Sequence, residues 1–273
     1  VRLVGSEMCI RDSDHFVLLW KKYRRVIAIS TSDDFETWSP LQTVLKPDDY
    51  NADRDQMYDM VPFAYGNQYL GFVWMFLTDQ DQGITELTTA RELDCWKRVG
   101  RRESFLPVGT PGSWDDGWAT CAANGPILKD DKLYIYYSGK RRHGDDRVNL
   151  GGIRLLTLRK DGFVALRCGN QGGDVMTEAV PVDGPRLFLN ARVFGNKASA
   201  DFGNVRVRVI CDIEVPEGFT FEDCNGLVRD DQTDFEITWG PERNNLARFV
   251  GQKVRLHIQT DAAGSLYSYR FGG

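Results

Sequence analysis

His15-Phe16-Val17-Leu18-Leu19-Trp20, then Val26-Ile27-Ala28-Ile29-Ser30, then the polar turn Ser32-Asp33-Asp34-Phe35-Glu36-Thr37-Trp38-Ser39: this order decides the fold, because it returns. Fifty-eight residues on, 69–76 is the apolar strand and 84–89 the next. The turn then reads Arg91-Glu92-Leu93-Asp94-Cys95-Trp96. A looser third copy has Leu133-Tyr134-Ile135-Tyr136-Tyr137 as its central strand, 152–158 as the next, and the turn Lys160-Asp161-Gly162-Phe163. A preceding strand repeats as well, at 61–65 before Gly66-Asn67 and at 125–128 before Asp130-Asp131. Gly, Asn and Asp at such tips tolerate the positive φ that tight hairpins require.

Four short strands per unit at a period of about 60 residues is the pattern of β-propeller blades. One blade cannot bury its own faces, so neighbours must stack around an axis, and the turn tryptophan is expected to pack between blades. The repeat counts two complete blades and one lacking its first strand. After about Leu166 the rhythm changes to strands separated by Gly, Asn and Asp clusters, at 187–189, 205–210, 235–239, 254–258 and 266–271. Val205, Val207 and Val209 alternate with Arg206 and Arg208, a period of two that predicts half-buried antiparallel strands and hence a β-sandwich. His257, between Arg255 and Gln259 on the polar face, is expected to point to solvent. The predicted fold is therefore all-β: blades of an incomplete propeller over 14–165, then a sandwich over 166–273.

Composition agrees with a folded chain. Of 273 residues 42% are hydrophobic and 12% aromatic, enough for a core. The net charge of −5, with no basic stripe interleaved with aromatics, argues against a nucleic-acid surface. The longest apolar run, 69–77, is far too short for a helical membrane span. Six cysteines occur without a C-x-x-C pair or a histidine at ligand spacing, so free thiols are expected over a zinc site, with a disulfide as the alternative. Residues 1–13 (VRLVGSEMCIRDS) resemble translated sequencing-adapter read-through and are set aside from the fold; on that reading the native N-terminus lies upstream.

The ordered set Thr31-Ser32-Asp33-Asp34-Phe35-x-x-Trp38-Ser39, 57–61 (MYDMV), 111–117 (PGSWDDG) and 158–164 (LRKDGFV) leading to Gly172-Gly173 carries a resemblance. So do Phe221-x-Asp223-Cys224 and the closing 266–271 (LYSYRF). Together they resemble the C-terminal portion of bacterial proteins related to the five-bladed propeller glycoside hydrolases, the superfamily of invertases, levansucrases and arabinanases. The resemblance implies a carbohydrate partner and an axial pocket, and it admits calcium near the acidic loops with no other cofactor. It also implies that the catalytic Asn-Asp-Pro, Arg-Asp-Pro and Glu-Cys motifs belong to earlier blades; none occurs here, so this portion by itself is expected to be inactive.

Glycoside cleavage uses two carboxyl groups flanking the scissile bond. Acids at the starts of inner strands are the candidates: Asp53, Asp55 and Asp59 beside Arg54 and Tyr58, then Asp115 and Asp116 between Trp114 and Trp118. Asp59 and Asp116 are singled out as catalytic. Asp59 starts an apolar strand where an unpaired charge is costly, and Asp116 leads a glycine-containing segment that a ligand can approach. Asp55, Tyr58, Trp114, Asp115, Trp118, Arg142 and His143 are the substrate-binding candidates, the last two on a charged loop over the pocket. The alternatives are loop acids that cap turns and a solvated hairpin tip, and Glu86 reads as a ladder residue. A non-catalytic glycan-binding protein and an interaction scaffold stay open beside the hydrolase. A sialidase reading rests on Thr31-x-Asp33-x-Phe35-x-Thr37-Trp38, an Asp-box turn without its glycine. Neither compartment nor oligomeric state is legible.

Overall fold

The computed structural model describes residues 8–12, 15–22, 25–48, 51, 55–142, 151–194 and 203–273. Among them there is no α-helix, and the chain divides into two compact units, 1–157 and 158–273.

In the first unit, β1 (Met8–Asp12), β2 (His15–Lys22), β3 (Val26–Ser32) and β4 (Gln42–Leu45) form a four-stranded antiparallel meander in chain order. Residues 8–12, set aside on sequence grounds, form β1, which pairs with β2 from Met8↔Leu19 to Asp12↔His15. Without it, β2 would present an open edge of unpaired backbone groups.

A second meander follows in β5 (Gln56–Tyr65), β6 (Gln68–Leu77) and β7 (Gln82–Ala90), with β8 (Lys97–Arg98) and β9 (Ser104–Leu106) both on the far edge of β7. The third blade-like element contains β10 (Trp118–Cys121), β11 (Ile127–Lys129), β12 (Lys132–Lys140) and β13 (Gly152–Arg159). Its first strand is broken in two. β10 pairs with the C-terminal half of β12 and β11 with the N-terminal half, and the intervening turn contains Gly125 at φ +66°.

β10 also meets β7 in a short parallel pairing, Trp118 opposite Gly83, which joins the second and third elements into one nine-stranded sheet. Glycine is required at 83, because a Cβ there would lie 2.3 Å from the Trp118 ring.

Trp96 sits where the repeat predicts a packing tryptophan. It is buried in a cluster with Ile27, Ile29 and Leu45 of the first meander and Met57, Met60 and Val73 of the second, and its indole N–H donates to the Leu93 carbonyl at 2.7 Å. The equivalent Trp38 is half-buried, edge-on to Phe35 at 5.3 Å between ring centroids. In that turn the carboxylate that accepts the amides of Glu36 (2.8 Å) and Thr37 (2.7 Å) belongs to Asp34. Phe35 takes φ +65° at the position where an Asp box has its glycine.

The second unit contains β14 (Leu166–Cys168), β15 (Gly173–Met176), β16 (Val180–Pro181), β17 (Arg186–Val193), β18 (Asn204–Ile210), β19 (Leu227–Val228), β20 (Asp231–Ile237), β21 (Lys253–Thr260) and β22 (Gly264–Gly272). The sheet β14-β22-β17-β20 and the sheet around β21 and β18 enclose one core. Leu187, Leu189 and Ile237 of one face pack with Val207, Val209 and Leu256 of the other. At the centre lies Trp239, fully buried, whose indole N–H donates to the Val207 carbonyl at 2.8 Å. The alternation in β18 holds, with its valines buried and Arg206 and Arg208 half-buried.

His257 corrects the solvent-facing expectation. It is on the polar face, yet its side chain is only 12% exposed. Arg208 Nε–H donates to its Nδ1 at 3.0 Å, Asp174 Oδ2 lies 3.0 Å from its Nε2, and Phe221 packs edge-on at 5.1 Å. Long neighbours on the adjoining strands cover a residue that alternation alone assigns to water.

Candidate functional site

One depression of the first unit is built on β10 and β12. Their register sets Trp118 opposite Lys140 and Thr120 opposite Ser138, so these four share one face of the sheet. With Trp74 of β6 and the glycines at 151 and 152 they line a depression of about 460 Å³. That volume lies within the range of small-ligand sites. A second depression, about 390 Å³, lies against the 31–42 and 91–94 turns; Tyr69 is its one aromatic lining residue.

The walls are held rigidly. Trp118 is wedged over Gly83, with Tyr58 at 5.5 Å and Phe76 at 5.9 Å between ring centroids. Arg25 lies over the Tyr58 ring at 4.0 Å. Trp74 donates its indole N–H to the Cys121 carbonyl at 3.1 Å, which leaves carbon surface for a ligand. The Trp118 indole N–H donates to Thr120 Oγ1 at 3.2 Å, and Thr120 Oγ1 lies 3.1 Å from Ser138 Oγ. Thr120 can therefore pass its own hydrogen to Ser138, whose hydroxyl then faces solvent as a donor. Lys140 Nζ sits 5.5 Å from the Trp118 ring centroid.

The sequence candidates do not all come together. Tyr58 and Trp118 converge, as the ring distance shows. Asp59 is not among the residues that line the depression; a β-bulge leaves Tyr58 as the extra residue and sets Asp59 opposite Trp74, on the same face of the sheet. Its Oδ1 accepts the Met60 amide at 2.8 Å. Asp55 holds the adjacent turn instead, its Oδ1 accepting the Thr78 amide at 3.2 Å.

Asp115, Asp116 and Trp114 organise the neighbouring loop. Asp115 is buried and accepts hydrogen bonds from Ser113 Oγ (2.8 Å) and Tyr137 Oη (3.0 Å). Burial first, and then that carboxylate, push the Tyr137 phenol above its usual pKa. Asp116 Oδ2 accepts the Gly112 amide at 2.7 Å, with Arg141 Nε 4.0 Å from Oδ1. Trp114 packs over Gly139 and Gly152, with Arg154 5.0 Å above its ring. Arg142 is exposed; Asp53 and His143 lie outside the described residues.

Trp74, Thr120, Ser138 and Lys140 were not singled out from sequence. The signal was available in the period of two, since Trp118/Thr120 and Ser138/Lys140 are each i, i+2 pairs. Glu86 is more than a ladder residue: it forms a bidentate pair with Arg98 at 2.7 Å, both side chains almost fully buried. Among the described residues Cys95, Cys121, Cys168, Cys211 and Cys224 are free thiols, and burial pushes Cys121 up to about 12. No group of three His, Cys, Asp or Glu side chains gathers among the described residues.

No family model and no curated protein matches the sequence. Solved structures do. A β-1,2-mannobiose phosphorylase from Listeria innocua is 16% identical with a TM-score of 0.42, over 60% of this chain and 43% of that one. A family 117 glycoside hydrolase from Zobellia galactanivorans is 12% identical with a TM-score of 0.43, over 93% of this chain and 83% of that one. A family 32 β-fructofuranosidase from Bombyx mori is 10% identical with a TM-score of 0.41, over 98% of this chain and 79% of that one. The chain thus spans less than half the length of the phosphorylase.

Proposed function

We propose that the protein acts on carbohydrate, with the depression between Trp74 and Lys140 serving as the recognition surface of a glycoside hydrolase-like site. The lining of that depression carries the reading. Carbon faces of indole stack on the C–H faces of a sugar ring, while hydroxyls such as Ser138 exchange hydrogen bonds with sugar hydroxyls. Hydrolysis requires a carboxyl pair, and Asp59 is the proposed contribution from this chain, because its bulge aims it to the face of Trp74. The bond from the Gly112 amide supports a loop-capping role for Asp116 instead. A second reading, glycan binding without turnover, is favoured by one observation: among the described residues no carboxylate lines the depression.

The test incubates the protein and its Asp59→Asn and Asp116→Asn variants with a panel of oligo- and polysaccharides. Reducing-sugar release and glycan binding are both measured. Release that vanishes in Asp59→Asn and persists in Asp116→Asn supports the hydrolase reading. Binding without release, abolished by Trp74→Ala, supports the non-catalytic one. Neither binding nor release across the panel overturns the proposal.

A further inference from the structure

We infer that the sugar held in this depression is anionic, bearing a carboxylate or sulfate group, and that Lys140 reads its charge. The inference rests on the carbohydrate reading of the depression and deepens it. Among the described residues that line the site, Lys140 is the one charged side chain. The residue is half-buried, its ammonium 5.5 Å from the Trp118 ring centroid, with no acidic partner among the described residues. Of the described carboxylates on the neighbouring loop, Asp115 is engaged with Ser113 and Tyr137, and Asp116 with the Gly112 amide and Arg141.

Arg141 and Arg142 follow Lys140 directly in the sequence and both are exposed, Arg141 beside Asp116. Lys140 lies on a chain of net charge −5, so it is not the edge of a general basic surface. An ammonium held over an indole gains little from the ring where water still reaches it, and an anion docked on the same wall would complete its coordination. Gly151, Gly152 and Ile153 complete the wall beside it. A neutral sugar would use the tryptophans and Ser138 but leave Lys140 unmatched.

The experiment compares two matched pairs by calorimetry at low salt: an oligogalacturonide with its methyl ester, and a sulfated galactan oligosaccharide with its desulfated form. The anionic member of at least one pair is expected to bind about tenfold tighter, the scale of one charge-assisted hydrogen bond. Which pair shows the preference identifies carboxylate or sulfate as the group read. Lys140→Gln is expected to remove the preference and its salt dependence, and Lys140→Arg to keep them, with both variants melting like the parent protein. Equal binding of charged and neutral partners overturns the anionic inference and leaves the carbohydrate reading standing. A preference that survives Lys140→Gln overturns the role of Lys140. Absence of binding in all four sugars overturns both.

Discussion

The two units solve burial in different ways. The sandwich closes on aliphatic side chains around Trp239, and its buried polar residues among those described are Asn190 and Ser265. The first unit instead buries Ser30, Ser32, Thr85, Glu86, Thr88 and Thr120 in its strands and Asp115 in a loop. Several of these act as cross-strand ties. Thr85 Oγ1 donates to the Ala119 carbonyl and accepts the Cys121 amide, both at 3.2 Å, which fastens β7 to β10 beside the depression. Polar groups inside a sheet are stabilising only when each finds a partner, so they hold side chains in defined positions at the expense of generic packing. The contrast teaches where to look for chemistry: the first unit is wired, and the second is packed.

The largest expected effect sharpens the packed side. Trp239→Ala removes a fully buried ring in contact with Phe219 at 5.0 Å and should destabilise the sandwich by about 4 kcal/mol. Urea unfolding checks this, and a change below about 1 kcal/mol would mean the core does not depend on that residue.

Next comes the wired side. Glu86→Ala strands the buried Arg98 guanidinium and should cost about 3 kcal/mol, whereas Glu86→Leu with Arg98→Met should recover most of the loss. Should the double variant be no better than the single, the pair would be contributing more than mutual neutralisation.

The smallest effect is at a surface turn. The amide of Thr37 first, then that of Glu36 and the Ser32 hydroxyl, hold the Asp34 carboxyl down to about 2. A folded value below the unfolded value of about 3.9 means that this contribution is complete above the unfolded value and is lost as pH falls through about 2. Carboxyl-carbon NMR titration should find Asp34 still ionised at pH 3; a midpoint near the usual value would remove the cap from the account.

How much of this was legible in the sequence follows from the range of each signal. The strands were readable because apolar runs and period-two alternation are local, as in Val205, Val207 and Val209. Tyr58 and Trp118 were readable as aromatics next to acids. Partners set by register were not. Nothing local tells that Thr120 will face Ser138, or that Glu86 will meet Arg98. The broken first strand of the third element was hidden for the same reason, since it depends on where β12 pairs with β10 and with β11. Alternation placed His257 correctly on the polar face but could not foresee that Arg208, Asp174 and Phe221 close over it.

The central claim, that sugar binds at the Trp74–Lys140 depression of the first unit, is tested most directly by the tryptophan indole N–H resonances during titration with a bound oligosaccharide. The account predicts that the Trp74 and Trp118 signals shift with saturation while the Trp239 signal, hydrogen-bonded inside the sandwich, stays in place. Saturable binding that leaves Trp74 and Trp118 unmoved would contradict it.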